Sequence, residues 1–204
     1  MAQSFVGSNN INLLTPSGQF GTRRMGGKDS ASPRYVFTKL EKITRAIFHP
    51  DDDELLNYLN DDGLSIEPEF YMPVIPLVLV NGSDGIGTGW SSNTPNFSPR
   101  DVIANIRRMI NGEAAERMAP SFSGFVGNII PEEGKRAGSF VVEGKIERTD
   151  DKTLVISELP IRKWTQDYKV FLESMMVFNE EEVRKCKERS DELGCRVNRM
   201  DVDV

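Results

Sequence analysis

The chain has 204 residues, 38% of them hydrophobic and 27% charged, with a net charge of -6, which suffices for one core plus an appendage. Its two cysteines, Cys186 and Cys195, lack the paired spacing of a zinc site and lie in a charged stretch, so a disulfide scaffold and a metal cluster are excluded and a reducing compartment fits. The opening MAQSFVGSNN carries no basic segment followed by an apolar one, and the apolar run Val74 to Val80 is broken by Pro76, so neither a secretory signal nor a membrane span is expected.

In chain order, residues 1–32 are rich in Gly, Asn, Ser and Thr and read as loop with one short strand. Ser32 and Pro33 then resemble a helix start, and Val36, Leu40, Ile43 and Ile47 recur at helical spacing, predicting a helix from about Pro33 to Phe48. His49-Pro50 stops it. The acidic stretch Asp51 to Asp62 is expected to hold a second short helix around Leu55 to Leu59, ended by Gly63. Tyr71 to Val80 is β-prone but punctuated by Pro73 and Pro76, which suits a buried or edge strand running into the glycine-rich turn NGSDGIGTGW.

A further helix starts at Ser98-Pro99, carries the stripe Val102, Ile103, Ile106, Met109 and Ile110, and closes at Asn111-Gly112. Glu113 to Ser123 reads as a connector. Three strands are expected at Gly124–Ile130, Ser139–Ile146 and Thr153–Leu159, followed by a helix from about Arg162 to Val177. The remainder is highly charged with little apolar period, which predicts a solvated helix or disorder. The fold class is therefore α+β.

A negative chain is a poor DNA binder on its global charge, because counterion release needs Lys and Arg opposite phosphates. The charge is unevenly placed. Between Gly18 and Arg45 seven bases (Arg23, Arg24, Lys28, Arg34, Lys39, Lys42, Arg45) face two acids, Asp29 and Glu41, for a local +5, whereas Asp51 to Glu69 holds eight acids and no Lys or Arg. In S-A-S-P-R-Y, a helix start would leave Tyr35 outward beside Arg34, and a phosphate is favoured at such an end. A tyrosine there can attack a phosphodiester, although these few residues by themselves favour a helix-start tyrosine packed on a loop. The preceding S-G-Q-F-G-T-R-R-M-G-G-K-D lets backbone approach phosphate closely, yet no Lys-Ser/Thr pair follows a strand, which disfavours a nucleotide-binding loop. Ile86, between Gly85 and Gly87, is either a plug into the core or a wedge. Trp164, after Arg162 and Lys163, is either an anchor for the last helix or a donor to phosphate. His49 is given no role.

Extended strings settle more than these short motifs do. GSNNINLLTPSGQFGTR followed by GGKDSASPRY, then EPEFYMPVIPLVLVNGSDGIGTGW, RDVIANIRRM and SELPIRKWTQDYK, resemble, in order, the cleavage core of eukaryotic type II DNA topoisomerases, over about the first 175 residues. The resemblance implies a partial winged-helix cleavage region over 1–118, the start of a tower-type α/β subdomain over 119–177, and a divergent tail over 178–204. It implies that Tyr35 forms a transient 5′-phosphotyrosyl link and that Arg34 stabilises charge on the scissile phosphate. Ile86 is then a wedge between base pairs that bends DNA, with Trp164, Lys28 and Arg23 as further DNA contacts. Double-stranded DNA and a second copy are the implied partners, and the nucleus the implied location. Magnesium and ATP are implied for the family but on domains this chain lacks, so the chain itself is expected to bind no metal or cofactor. The chain is expected to be a fragment, inactive alone; the competing expectation is a truncated, non-catalytic DNA-binding or interaction protein of the same descent.

Overall fold

A computed structural model describes residues 1–132 and 138–175. The first twelve residues lie among segments about a hundred residues away in sequence, held there by asparagine side chains that act as extra peptide groups. Asn10 Nδ2 donates to the carbonyls of Phe97 (3.0 Å) and Ser121 (2.8 Å), while its Oδ1 accepts the Ser123 N–H (2.8 Å). Asn81 makes a reciprocal pair with the Ile11 backbone at 2.9 and 3.0 Å, and the buried Asn96 donates to the Ser8 carbonyl at 2.8 Å. Each bond satisfies backbone that would otherwise be stranded away from regular structure.

The helix expected from Pro33 to Phe48 does not form. Its start is a 3₁₀ turn, Pro33–Tyr35, after which Val36 is extended; helix returns only as α1, Thr44–Ile47. Pairing with a distant segment takes the backbone groups that a helix would use. Thr15 N–H donates to Lys39 O at 2.9 Å and Glu41 N–H to Leu13 O at 3.0 Å around a Leu14–Leu40 bridge. Val36, Phe37 and Thr38, branched or aromatic, suit that extended path. Of the four residues at helical spacing only Ile47 is buried.

The short helix expected near Leu55–Leu59 is likewise replaced, by a 3₁₀ stretch Pro50–Leu55 and strand β1, Tyr58–Asp61. β1 pairs antiparallel with β2, Leu64–Pro68, across Asp62 and Gly63, both at positive φ (48° and 85°). Two such residues in an Asp-Gly pair are what a tight two-residue hairpin requires. The strand expected over Tyr71–Val80 is absent; its end is the helical turn α2, Leu77–Val80. The glycine-rich segment is a hairpin rather than a turn: β3, Ser83–Gly87, pairs with β4, Trp90–Thr94, and Ile86 stands opposite Ser91.

Helix α3, Pro99–Ile110, forms as its sequence predicts. Val102 packs inward with Val80 of α2, and with Ile47 and Ala2 they make up the buried apolar residues among those described. Burying each such valine is worth roughly 1.5–3 kcal/mol. The connector 113–123 is fastened along α3 by Asn105, which exchanges two 2.8 Å bonds with the Glu116 backbone. Beyond it, four strands replace the three expected: β5, Asn128–Pro131, pairs with β6, Phe140–Glu143, and β7, Lys145–Arg148, pairs with β8, Leu154–Glu158. The segment 139–146 is divided at Gly144, where a side chain would run into the Glu158 carbonyl. A final helix, α4, covers 165–175. The expected end of that helix, the charged tail and both cysteines lie outside the described residues.

Candidate nucleic-acid interface

Tyr35 closes the 3₁₀ turn, its N–H donating to Ser32 O at 2.9 Å, and its side chain is 74% exposed with no hydrogen-bond partner among the described residues. The hydroxyl faces solvent, as the sequence implied, although a three-residue turn and not a helix start puts it there. Arg34 beside it is exposed and unpaired among the described residues.

The basic loop before the turn is closed on itself. Ala31 N–H donates to Gln19 O (3.0 Å), Gly27 N–H to Thr22 O (3.0 Å), and the Gln19 amide to Asp29 O (3.0 Å). Asp29 is the clasp: its carboxylate accepts from the Thr22 hydroxyl (2.6 Å) and the Thr22 N–H (2.8 Å). These bonds, the hydroxyl's first, hold the Asp29 pKa below the ordinary carboxylate range, with the Arg24 charge a smaller cause. The carboxylate thus fixes the loop while Lys28 and Arg34 stay exposed.

The loop is docked on the segment before α4. Arg23 pairs with Glu158 and donates to Leu159 O at 3.0 Å; the buried Glu158 also accepts the Val126 N–H at 3.2 Å. Gln166 N–H donates to Arg24 O at 3.0 Å. The half-buried Trp164 indole lies on Gly26 and Gly7 and meets Phe5 edge-on at 5.8 Å. Arg23 and Trp164 therefore sit against protein, in contrast to Arg34, Tyr35 and Lys28.

Ile86 is 94% exposed on the β3–β4 hairpin, with Trp90 also outward. A plug into the core of this chain is ruled out by that exposure. The base of the hairpin is tied to the α4 approach by Asp84 and Arg162, whose oxygen and nitrogen stand 2.5 Å apart. Asp29, Glu158, Asp84 and Arg162 are not singled out as site residues by sequence reasoning. The partners of Glu158 and Asp84 lie 135 and 78 residues away, beyond any local pattern, whereas Thr22 and Asp29, flanking the glycines, are within reach of a search for loop-closing pairs.

The family model for the A-type subunit of DNA gyrase/topoisomerase IV matches residues 1–203. The chain belongs to this family. Within it, the chain is 61% identical over 175 residues to DNA topoisomerase 2 of Pisum sativum, covering 86% of this chain and 12% of that protein. It is 54% identical over 169 residues to DNA topoisomerase 2-alpha of Mus musculus, covering 83% of this chain and 11% of the relative. A solved structure, the Plasmodium falciparum topoisomerase II DNA-binding, cleavage and re-ligation domain, superposes with a TM-score of 0.79 at 53% identity, covering 86% of this chain and 24% of that one. The mixed α/β architecture is thus that of the topoisomerase II family, and the resemblance read from the sequence strings is correct. The chain spans about an eighth of the length of these curated relatives.

Proposed function

We propose that this chain is the tyrosine-bearing segment of a type II topoisomerase cleavage-reunion core, with a partial winged-helix region over 1–118 and the start of a tower-type subdomain over 119–177. The observation that carries the reading is the exposed Tyr35 side chain, unpartnered among the described residues, beside Arg34 at the end of a clasped basic loop, in a chain of this family.

In the proposed step Tyr35 Oη attacks a backbone phosphorus of double-stranded DNA. The new O–P bond forms as the bond to the 3′-oxygen breaks, the phenolic proton leaves to solvent, and the departing 3′-oxygen takes up a proton from solvent to become a hydroxyl. One phosphodiester replaces another, so the link is reversible by attack of the same hydroxyl. Arg34 supplies a fixed, delocalised positive charge where the pentavalent phosphorus gathers negative charge. Lys28 neutralises adjacent phosphate, while Arg23 and Trp164 serve by holding the loop that presents Tyr35. Ile86 is the wedge that bends the duplex.

Among the described residues no group of three or more His, Cys, Asp or Glu is placed to hold a metal ion. The magnesium and ATP implied by the family are proposed to act on other parts of the longer protein. Strand passage, a second copy and a nuclear location belong to the same proposal.

The test is Tyr35→Phe in this segment, grafted in place of the matching residues of the Pisum sativum enzyme. Protein-linked DNA breaks should vanish while noncovalent DNA binding remains. Covalent complexes in the phenylalanine variant would overturn the assignment.

A further inference from the structure

Arg162 is one of only two described residues other than glycine with a positive φ, at 64°. The other, Asp62, is in a hairpin turn and is of a type that tolerates this region; arginine is not. The Lys163 N–H donates to the Pro160 carbonyl at 3.0 Å, so Arg162 is the third residue of a tight turn, the position at which a type II turn requires positive φ. The guanidinium crosses to Asp84, two residues before Ile86 on β3, and donates a hydrogen bond to its carboxylate. Within four residues of Arg162 on the same segment, Glu158 holds Arg23, Trp164 underlies Gly26, and Gln166 binds the Arg24 carbonyl. The segment 158–166 therefore grips the tyrosine-bearing loop through Glu158, Leu159, Trp164 and Gln166, and the Ile86 hairpin through Arg162.

We propose that Arg162 is a positioning residue: its ion pair with Asp84 sets the orientation of the DNA-bending hairpin relative to the loop that presents Tyr35. The proposal rests on the DNA-cleaving reading above. The hairpin otherwise leaves the body as two strands whose side chains are almost all exposed, so little besides this pair fixes its direction. Because the pair is partly exposed, its loss changes the population of the aligned hairpin by no more than about fivefold. The effect is expected on bending, since the guanidinium is taken up by the Asp84 carboxylate.

The test uses Arg162→Gly, which suits the left-handed backbone while removing the guanidinium, and Asp84→Asn, which leaves the backbone alone. The full 204-residue chain is bound at saturation to a short duplex labelled at both ends, and bending is read by fluorescence transfer. Each variant is expected to lose about two- to fivefold of the bent population, with melting temperature and DNA affinity nearly unchanged. The reversed pair, Asp84→Arg with Arg162→Asp, should restore bending, which a merely structural role for either residue does not predict. Full bending in both single variants overturns the latch alone. A duplex left straight by the unsubstituted chain overturns the DNA-bending reading, and the latch with it.

Discussion

The Trp164 indole occupies the space that a side chain on Gly26 would need, and the same ring meets Phe5 edge-on at 5.8 Å. The tyrosine-bearing loop is thereby seated on an aromatic pair whose other side is the N-terminal segment, so the loop's position depends on the bareness of one glycine.

Gly26→Ala is expected to lower stability through two additive effects. Its φ of 62° costs about 1–2 kcal/mol for a residue with a Cβ, and the overlap with the ring adds roughly 1–3 kcal/mol. Thermal melting measures the sum, and Trp164→Phe in the alanine background should recover part of it. A Gly26→Ala chain that melts with its parent would show that the loop is not seated on Trp164.

Removal of the Arg34 guanidinium should slow cleavage by about 100-fold, the scale for one lost transition-state donor. Arg34→Lys keeps the charge but not the paired donors and should fall between the two. Single-turnover cleavage by the grafted enzyme measures both, and the assignment fails if Arg34→Ala cleaves at the parental rate.

Ile86 offers a contrast between two energy scales. A buried isoleucine truncated to alanine loses about 2–5 kcal/mol, but at 94% exposure Ile86 has almost no packing to lose. Ile86→Ala should melt within about a degree or two of the parent, a shift well under about 1 kcal/mol, while bending of a bound duplex falls and phosphate contacts sustain most of the affinity. A large drop in melting temperature with unchanged bending would reverse the assignment.

The clasp of the basic loop is pH-dependent through Asp29. Its pKa is lowered in the folded chain, chiefly by the Thr22 hydroxyl, so the stabilisation it supplies is complete above the ordinary carboxylate value of about 4 and is lost as pH falls through the lower folded value. Hydrogen exchange at the Gly27 and Thr22 amides should therefore quicken, relative to the rest of the chain, only as pH falls below about 4. In Asp29→Asn the loosening should be present at neutral pH and insensitive to acid. Equal protection of the two chains at about pH 7 would dismiss the clasp.

What is legible in the sequence follows the range of the forces involved. Helix α3 is readable because Ser98-Pro99, the stripe from Val102 to Ile110 and the closing Asn111-Gly112 all act within one element. The helix expected from Pro33 fails because Leu13 and Thr15 compete for the backbone of Lys39 and Glu41 across more than twenty residues, and periodicity carries no information about such a partner. Tyr35 stands out through the long string around it, and its exposure needs no helix. The hairpin bearing Ile86 reads as a turn because its glycines and serines have weak strand preference; the ladder from Ser83 to Trp90 forms regardless. Arg162 escapes sequence reading because a positive φ is a property of the backbone that a non-glycine residue does not advertise.

The bonds from Asn10 to Ser121 and Ser123 span 111 and 113 residues, and this has a consequence for the birth of the protein. During synthesis at about 5–20 residues per second, Asn10 is made roughly 6–23 s before the Ser123 amide it will accept from exists. Throughout that interval the segment around Ser8, Asn10 and Ile11 lacks one or more of its partners at 81, 96, 97, 121 and 123. Closing so wide a loop is slow even after the chain is complete. Residues 8–11 are thus among the last of these segments to be fastened, and until then their backbone and side-chain groups are left to water.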